Sequence, residues 1–232
     1  MTRWVLFDLD GTLLDYVAAE TAAVTATLRR AGLSVTEAML DDYRQVNRRH
    51  WEALERGETT AAQLRLDRWR ELLAAHRAET VDVAELAAHY LDDLAAGAQV
   101  CDGAHDVVAE LAEDHAIAYI TNGLADVQRP RLRASGLCDH AEAVIISDEV
   151  GAAKPAPAIF DAAFDAMRSP PRADVTLVGD SLTADVAGGR AYGLRTVWVT
   201  DSDAPNPGPP KPQPDHRIEH LRELPPLLRP TT

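Results

Sequence analysis

Five short apolar runs, each ending at polar residues, constrain the fold of this chain more than any other feature of its sequence. They cover residues 4–7, 117–120, 143–146, 175–178 and 196–199. Continuous apolar runs of this length are typical of strands that are buried on both faces. Helical patterns separate the later runs, for example at 104–111 and 159–166. This alternation predicts an α/β fold with a doubly wound parallel sheet, in which functional groups lie at the carboxyl ends of the strands.

One long interval, from residue 15 to residue 98, breaks this alternation. It contains no convincing strand, only helical periodicity such as Val17, Thr21, Val24 and Leu28. A length of 232 residues suits one domain with an insertion. We therefore predict a catalytic core formed by 1–14 and 99–232, and an inserted α-helical cap domain at 15–98. Because the insertion follows the first strand and ends before the second, we expect it to lie over the strand ends as a lid.

The charge balance limits the classes of partner. Lys and Arg number 23 against 37 Asp and Glu, which gives a net charge of −14. A broad surface that neutralises nucleic-acid phosphates is therefore not expected, whereas a small anionic substrate remains compatible. Cys101 and Cys138 form no CxxC pattern, so we expect small buried side chains rather than a zinc or redox site. The sequence leaves monomer and homodimer open.

The two ends of the chain complete the expected organisation. The first residues lack the basic start and long apolar stretch of a signal peptide, and no run of 18 apolar residues occurs. We therefore expect a cytoplasmic protein without a membrane partner. Nine of the 14 prolines lie between 201 and 232. They predict an extended loop at 205–214, followed at 215–224 by a short strand and a final helical turn.

The first apolar run leads directly into Asp8-Leu9-Asp10-Gly11-Thr12. Alternation along a strand would place Asp8 and Asp10 on the same side, where two carboxylates repel each other unless a cation or a shared proton lies between them. The glycine permits a sharp turn. The alternative is an ordinary strand-end turn with solvated acids, since Asp and Gly are common in turns.

Three further runs also end in residues suited to a catalytic site. These are Thr121-Asn122-Gly123, then Lys154-Pro155, and then Gly179-Asp180-Ser181 with Asp185. In a parallel sheet all of these clusters face one edge. Lys154 is one of two lysines among the 23 basic residues, so a lysine at this position is unusual for this chain. A lysine supplies a compact point charge that suits a phosphoryl oxygen and a neighbouring carboxylate together.

Taken in this order, the four clusters resemble the motifs of the haloacid dehalogenase superfamily of aspartate-nucleophile hydrolases, over about residues 3–199. The resemblance implies a Rossmann-like core with a helical cap. The segment that contains Thr121-Asn122-Gly123, Gln128 and Arg131 is similar to the pyrimidine 5′-nucleotidase subgroup. The stretch KPAPAIF, which begins at Lys154, is similar to N-acylneuraminate-9-phosphatases.

The residue types, read with this resemblance, imply a set of roles. Asp8 attacks phosphorus and forms an aspartyl-phosphate, while Asp10 acts as general acid and then base. Lys154 and the donors of Thr121, Asn122 and Gly123 bind the phosphoryl oxygens. The site acids outweigh Lys154 in charge, so a divalent cation is needed, and oxygen ligands favour Mg²⁺. The resemblance implies that it is held by Asp8, Asp180 and the Asp10 backbone carbonyl.

Two residues are expected to support these groups. Ser181 begins a helix whose amides favour anions. Asp185, about one turn into that helix, is expected to orient Lys154 or a metal-bound water.

These features lead to the hypothesis of a Mg²⁺-dependent phosphomonoester hydrolase whose partner is a small-molecule phosphate ester such as a nucleoside 5′-monophosphate. A sugar phosphomutase shares Asp8 and Asp10 and stays open. A 2-haloacid dehalogenase needs no acid at position 10, so Asp10 counts against it. A non-catalytic binding protein with this fold is the remaining alternative.

No cap residue identifies the substrate, because aromatic residues such as Tyr43 and Trp69 pack in cores more often than they stack on a base.

Overall fold

The described residues form a six-stranded parallel sheet with helices on both of its faces. The computed structural model describes residues 3–200 and 212–229. Within them the strand order is β3-β2-β1-β4-β5-β6, and every pairing between neighbouring strands is parallel. The strands are β1 (Arg3–Phe7), β2 (His115–Thr121), β3 (Ala141–Ile146), β4 (Val175–Gly179), β5 (Arg195–Val199) and β6 (His216–Ile218). The first five contain the five apolar runs, and the predicted fold class is confirmed.

The apolar runs are continuous because each face of the sheet packs against its own hydrophobic core. On β1, Val5 and Phe7 belong to one buried cluster, whereas Trp4 and Leu6 belong to another. Alternate residues of a strand point to opposite faces, so both sets must be apolar. The first cluster includes helices α5 (Ala104–Ala112) and α10 (Leu224–Leu228), and the second includes α8 (Pro157–Ala166).

The register of the strands brings their carboxyl ends side by side. Phe7 at the end of β1 pairs with Tyr119 of β2 on one side and with Val178 of β4 on the other. The polar residues that follow these strands therefore emerge at one edge of the sheet. The other described elements that follow β2 in the sequence are α6 (Ala125–Ser135), α7 (Ser147–Val150), α9 (Gly188–Tyr192), a π-helix at Leu182–Ala187, and 3₁₀ turns at Leu137–His140, Arg172–Asp174 and Leu221–Glu223.

The chain divides into two compact units. The first comprises Met1–Tyr16, Ala98–Ala125 and Leu132–Thr232, and it contains the sheet. The second comprises Val17–Gly97 together with Asp126–Arg131. The second unit is helical and is built mainly from α1 (Tyr16–Arg30), α2 (Glu37–Glu55), α3 (Ala61–Ala75) and α4 (Val83–Ala96). The side chains of Thr36, Thr60 and Asp82 cap the starts of α2, α3 and α4.

The interior of the helical unit combines aromatic rings with a buried polar group. Tyr43, Trp69 and Tyr90 lie with ring centroids 4.9–5.7 Å apart. Asn47 donates to Glu20 and accepts from Arg68, and all three side chains are buried. Tyr43 and Trp69 are thus part of a packed core. The sequence did not indicate this polar group, because nothing in a helical pattern shows that Glu20 and Arg68 share a partner.

The expected apolar face of α1 is wrong in its first turn. Val17 is 64% exposed, whereas Val24 and Leu28 are buried with Ala19 and Ala23. The buried face of α1 is rotated from the expected one because the helix packs through the small side chains of Ala19 and Ala23. A pattern of large apolar side chains does not indicate these residues.

The strand and the helical turn predicted at 215–224 are confirmed by β6 and by the 3₁₀ turn at Leu221–Glu223, which leads into α10. Residues 205–211 of the predicted extended loop lie outside the described residues. Cys101 and Cys138 are free cysteines, and both are half-buried rather than fully buried as predicted, because they pack at the margin of the first core cluster. Of the described helices, none is both long and apolar enough to cross a membrane.

Candidate active site

Asp8 lies directly after β1 and is buried, with 6% of its surface exposed. Its backbone N–H donates to the Val178 carbonyl at 2.9 Å, which extends the sheet pairing by one residue and fixes the start of the side chain. Its Oδ1 accepts from Lys154 Nζ at 2.5 Å, and its Oδ2 accepts from the Thr12 hydroxyl at 3.3 Å. The carboxylate is therefore held from both sides.

The chain turns sharply after Asp8, which corrects the expectation that one strand continues through Asp8 and Asp10 and places both on the same side. The strand ends at Phe7, and the amides of Leu13 and Leu14 both donate to the Leu9 carbonyl. Asp10 lies inside this turn and is half-exposed. Its position relative to Asp8 is thus determined by the turn and not by strand alternation.

Gly11 allows Asp180 to approach this turn. Gly11 has a φ of +85°, and a Cβ atom at this position would lie 2.3 Å from Asp180 Oδ2. Any other residue would strain the backbone and displace the carboxylate. The backbone carbonyl of Asp180 is fixed on the other side, where it accepts from Trp198 Nε1 of β5 at 2.8 Å.

Lys154 lies in the loop between α7 and α8, with 2% of its surface exposed. Its ammonium group donates to Asp8 Oδ1, to Asp185 Oδ1 at 2.7 Å, and to the Ile120 carbonyl at 3.1 Å. Burial alone would lower the pKa of Lys154, but the Asp185 and Asp8 carboxylates outweigh it and raise the pKa. The lysine therefore stays charged in the interior.

Asp185 lies on the π-helix and bonds to two groups. Its Oδ1 accepts from Lys154, and its Oδ2 accepts from the Ser181 backbone N–H at 3.0 Å. A Cβ atom on Gly179 would lie 2.3 Å from the Asp185 carboxylate, so the glycine is needed for this approach. Ser181 caps the helix, because its hydroxyl accepts from the Ala184 N–H at 3.1 Å.

Thr121 and Gly123 form a small turn at the end of β2. The Thr121 hydroxyl is buried and accepts from the Gly123 N–H at 3.1 Å. Asn122 faces a different group: its amide oxygen accepts from the Lys154 backbone N–H at 2.7 Å, and its amide nitrogen donates to the Lys154 carbonyl at 2.9 Å. The structure thus places the Asn122 side chain against the Lys154 backbone, and the expected N–H donors of Asn122 and Gly123 to phosphate stay a prediction.

Three carboxylates meet at this edge of the sheet. One oxygen from each of Asp8, Asp180 and Asp185 lies within 4.8 Å of the others. Burial is the main cause that raises the pKa of Asp8 well above its usual range, partly opposed by Lys154. Although the Asp180 side chain reaches solvent, partial burial and the Asp185 charge raise its pKa to about 7. Burial is the largest cause of both raised pKa values, and repulsion between the close carboxylates adds to it.

This donor set fits a magnesium ion. All three groups offer oxygen, which Mg²⁺ prefers, and they carry more negative charge than the single ammonium of Lys154 neutralises. Asp10 does not belong to this group of carboxylates, and its predicted contribution is a backbone carbonyl.

Nothing in the amino-acid sequence indicated two hydrogen bonds of the site. Trp198 bonds to the Asp180 carbonyl, and Thr12 bonds to Asp8. The register of β4 and β5, in which Gly179 pairs with Trp198, is what brings the indole beside Asp180. The order of the strands in the sheet would have suggested this neighbour, since Gly179 ends β4 and Trp198 is the next-to-last residue of the adjacent β5.

The sequence matches a family model described as haloacid dehalogenase-like hydrolase, over residues 2–193. The HAD-hydrolase YfnB of Bacillus subtilis is 33% identical over 222 residues, which cover 96% of this chain and 93% of YfnB. The pyrimidine 5′-nucleotidase PynA of Streptococcus pneumoniae is 34% identical over 197 residues, 84% of this chain and 83% of PynA. The N-acylneuraminate-9-phosphatase of Mus musculus is 32% identical over 131 residues, 56% of this chain and 52% of the mouse protein.

Solved structures share the fold over nearly the whole chain. A crystal structure of YfnB bound to magnesium matches with a TM-score of 0.90 and 32% identity, covering 98% of each chain. An L-2-haloacid dehalogenase from Xanthobacter autotrophicus matches with a TM-score of 0.77 and 22% identity, covering 100% of each chain. At that level of identity the second match establishes a common fold and nothing further.

Proposed function

Because the chain belongs to the haloacid dehalogenase-like hydrolase family, we propose that it is a Mg²⁺-dependent hydrolase of small phosphate monoesters, with nucleoside 5′-monophosphates as the first class to test. The resemblance inferred from the four motif clusters is confirmed, and so is the assignment as an enzyme of this family. The observation that carries the proposal is the buried contact of Lys154 with Asp8 and Asp185, beside the exposed carboxylate of Asp180.

In the proposed reaction an Asp8 carboxylate oxygen attacks phosphorus and the bond from phosphorus to the ester oxygen breaks. The product is an aspartyl-phosphate, and the leaving alcohol receives a proton from Asp10. Water then attacks the phosphorus of this intermediate while Asp10 takes up a proton, which releases inorganic phosphate and restores Asp8. The two-step route replaces one difficult displacement by two easier ones.

The remaining residues stabilise the negative charge of the transferred group. Lys154 lies 2.5 Å from Asp8, so its ammonium group is close to any phosphoryl oxygen that reaches this carboxylate. The Thr121 hydroxyl oxygen accepts a hydrogen bond from the Gly123 N–H. The hydroxyl proton of Thr121 therefore points away from that amide. Asp8, Asp180 and the Asp10 carbonyl would hold Mg²⁺. The ion would supply positive charge that offsets phosphate and carboxylate repulsion.

The relatives support the choice of substrate class. PynA, a pyrimidine 5′-nucleotidase, matches this chain over most of both sequences. We further propose that the helical insertion at 15–98 acts as the cap that selects the leaving group, since the groups proposed for phosphoryl transfer lie in the first unit.

The test is phosphate release from a panel of nucleoside 5′-monophosphates, sugar phosphates and p-nitrophenyl phosphate. Release that requires Mg²⁺, stops with EDTA and is lost in Asp8→Asn supports the proposal. The Asn side chain keeps the shape of Asp8 but lacks the nucleophilic charge. Unchanged activity in Asp8→Asn would contradict the assignment of the nucleophile.

Parallel assays separate the alternatives. Halide release from 2-chloropropionate without a metal would identify a dehalogenase. Interconversion of sugar-phosphate isomers in place of phosphate release would identify a phosphomutase. If neither reaction nor phosphate release is found, the protein is a binding protein with this fold.

A further inference from the structure

We infer that Asn122 is a positioning residue whose side chain holds the loop carrying Lys154, and that this side-chain amide acts on the reaction through Lys154 and not as a donor to the substrate. The inference rests on the proposed function, in which Lys154 neutralises charge at Asp8. It assigns to Asn122 a role that the order of the sequence motifs does not suggest.

The geometry of the contact is reciprocal. Asn122 Oδ1 accepts from the Lys154 N–H at 2.7 Å, and Asn122 Nδ2 donates to the Lys154 carbonyl at 2.9 Å. Both polar backbone groups of one residue are thus bound by the two ends of one side-chain amide. Such a pair fixes the backbone in position and in orientation, as two bonds between neighbouring strands do.

The loop needs such an anchor because Lys154 lies outside the sheet. Lys154 follows α7 and precedes α8, so no strand pairing fixes it. The next residue, Pro155, has no backbone N–H to donate. Asn122, in contrast, directly follows β2, which pairs with β1 on one side and with β3 on the other and therefore fixes the start of this residue. The side-chain amide transfers the rigidity of β2 to a residue 32 positions later.

A second contact limits the loop at the next residue, Pro155. A Cβ atom on Gly188 would lie 3.0 Å from the Cα and Cβ of Pro155, so α9 and the loop are in close contact. The loop is therefore held at Lys154 by Asn122 and at Pro155 by the start of α9. Displacement of the loop would move the ammonium group away from Asp8 and Asp185, whose oxygens lie 2.5 and 2.7 Å from it.

This role and the role of substrate donor lead to different kinetic effects. A donor to the phosphoryl group binds the substrate, so its removal raises KM or affects KM and kcat together. A residue that only orients Lys154 affects the step in which charge develops at Asp8, so its removal lowers kcat. Residues that orient catalytic ligands typically contribute 10–100-fold to activity.

The test compares Asn122→Ala with Ser147→Ala. The Ser147 hydroxyl donates to the Gly123 carbonyl at 3.4 Å, so the control removes a bond to the same turn without touching Lys154. Two measurements are made: hydrogen–deuterium exchange of the peptide that spans residues 151–156, and the Mg²⁺-dependent hydrolysis of the best substrate of the panel. Circular dichroism establishes that both variants are folded.

We expect Asn122→Ala to accelerate exchange in 151–156 and to lower kcat about 10–100-fold with KM little changed, whereas Ser147→Ala changes neither. Unchanged exchange in Asn122→Ala, or a rise in KM at constant kcat, would overturn the inference. Asn122→Asp keeps the acceptor for the Lys154 N–H, so it should give intermediate exchange and kcat. It is also the variant to use if Asn122→Ala does not fold. If the carboxylate instead raises KM more than alanine does, Asn122 faces the substrate and the inference is wrong.

The exchange measurement separates this inference from the proposed function. If the wild-type protein hydrolyses no ester, the proposed function fails, yet exchange in 151–156 still shows whether Asn122 holds the loop. If hydrolysis is observed and exchange does not respond to Asn122→Ala, the inference alone fails.

Discussion

Replacing Lys154 by methionine should destabilise the protein strongly, and the structure gives the size of the effect. Lys154 is 2% exposed, and its ammonium group contacts two buried carboxylates at 2.5 and 2.7 Å. Methionine keeps much of the side-chain volume but leaves Asp8 and Asp185 without their common counter-charge. Removing one partner of a buried ion pair costs about 3–5 kcal/mol, because a charge remains in the interior without compensation.

Urea unfolding in EDTA at neutral pH measures this cost. With a slope of about 2–3 kcal/mol per molar urea, the expected loss lowers the midpoint by roughly 1–2.5 M. Lys154 lies in the first compact unit, so only the transition of that unit should shift if the two units unfold separately. When excess Mg²⁺ replaces EDTA, the midpoint of the Lys154→Met variant should rise part of the way back, because the ion offsets the negative charge of the same carboxylates.

Arg222→Met provides the matched control. Arg222 also forms an ion pair, with Asp102, but both side chains are exposed and water screens the pair. We expect its midpoint to stay close to that of the wild type. If Lys154→Met shifts the midpoint no more than Arg222→Met does, the buried carboxylates do not depend on Lys154 and the electrostatic reasoning is refuted.

Three further substitutions examine the same site. Asp10→Asn should abolish turnover while substrate binding, measured by calorimetry, is largely kept, because the amide preserves shape but transfers no proton; loss of binding would assign Asp10 another task. Trp198→Phe removes the N–H that donates to the Asp180 carbonyl at 2.8 Å, a bond worth about 0.5–1.5 kcal/mol, so calorimetry should show Mg²⁺ affinity reduced severalfold. Equal affinity would mean that the indole does not position Asp180. Gly11→Ala should lower stability by at least about 1–2 kcal/mol in thermal unfolding, because φ is +85° and the new Cβ atom would meet Asp180. A neutral effect would show that the turn relaxes freely.

The sheet could be predicted from the sequence because the signal is local. A strand buried on both faces must be apolar at every position, as in 4–7 and 175–178, and no knowledge of its neighbours is needed to recognise it. The face of α1 could not be predicted in the same way. Its first turn leaves Val17 in solvent while Ala19 and Ala23 pack inside, and this choice depends on which helices lie against it.

The residues of the site could be listed from the sequence, but their partners could not. The order of the strand ends indicated that Asp8, Lys154 and Asp185 belong to one edge of the sheet. It did not indicate which side chain bonds to which group, because the Asn122 amide finds its partner 32 residues away in a loop without regular structure. A strand-end asparagine looks the same whether its amide faces a ligand or the backbone.

The distribution of burial around the three carboxylates explains how a site of this charge can exist in a folded core. Asp8 and Asp185 are buried and share the ammonium group of Lys154, which neutralises one of their two negative charges inside the protein. One oxygen of Asp180 lies within 4.8 Å of both carboxylates, but the Asp180 side chain reaches solvent. The charge that Asp180 adds is therefore placed where a cation can enter from water. Gly11 and Gly179 make this arrangement possible, since side chains at these positions would displace Asp180 and Asp185 respectively. The buried lysine thus offsets part of the charge of the folded core, and charge balance at the open edge is left to the cation that we propose for the reaction.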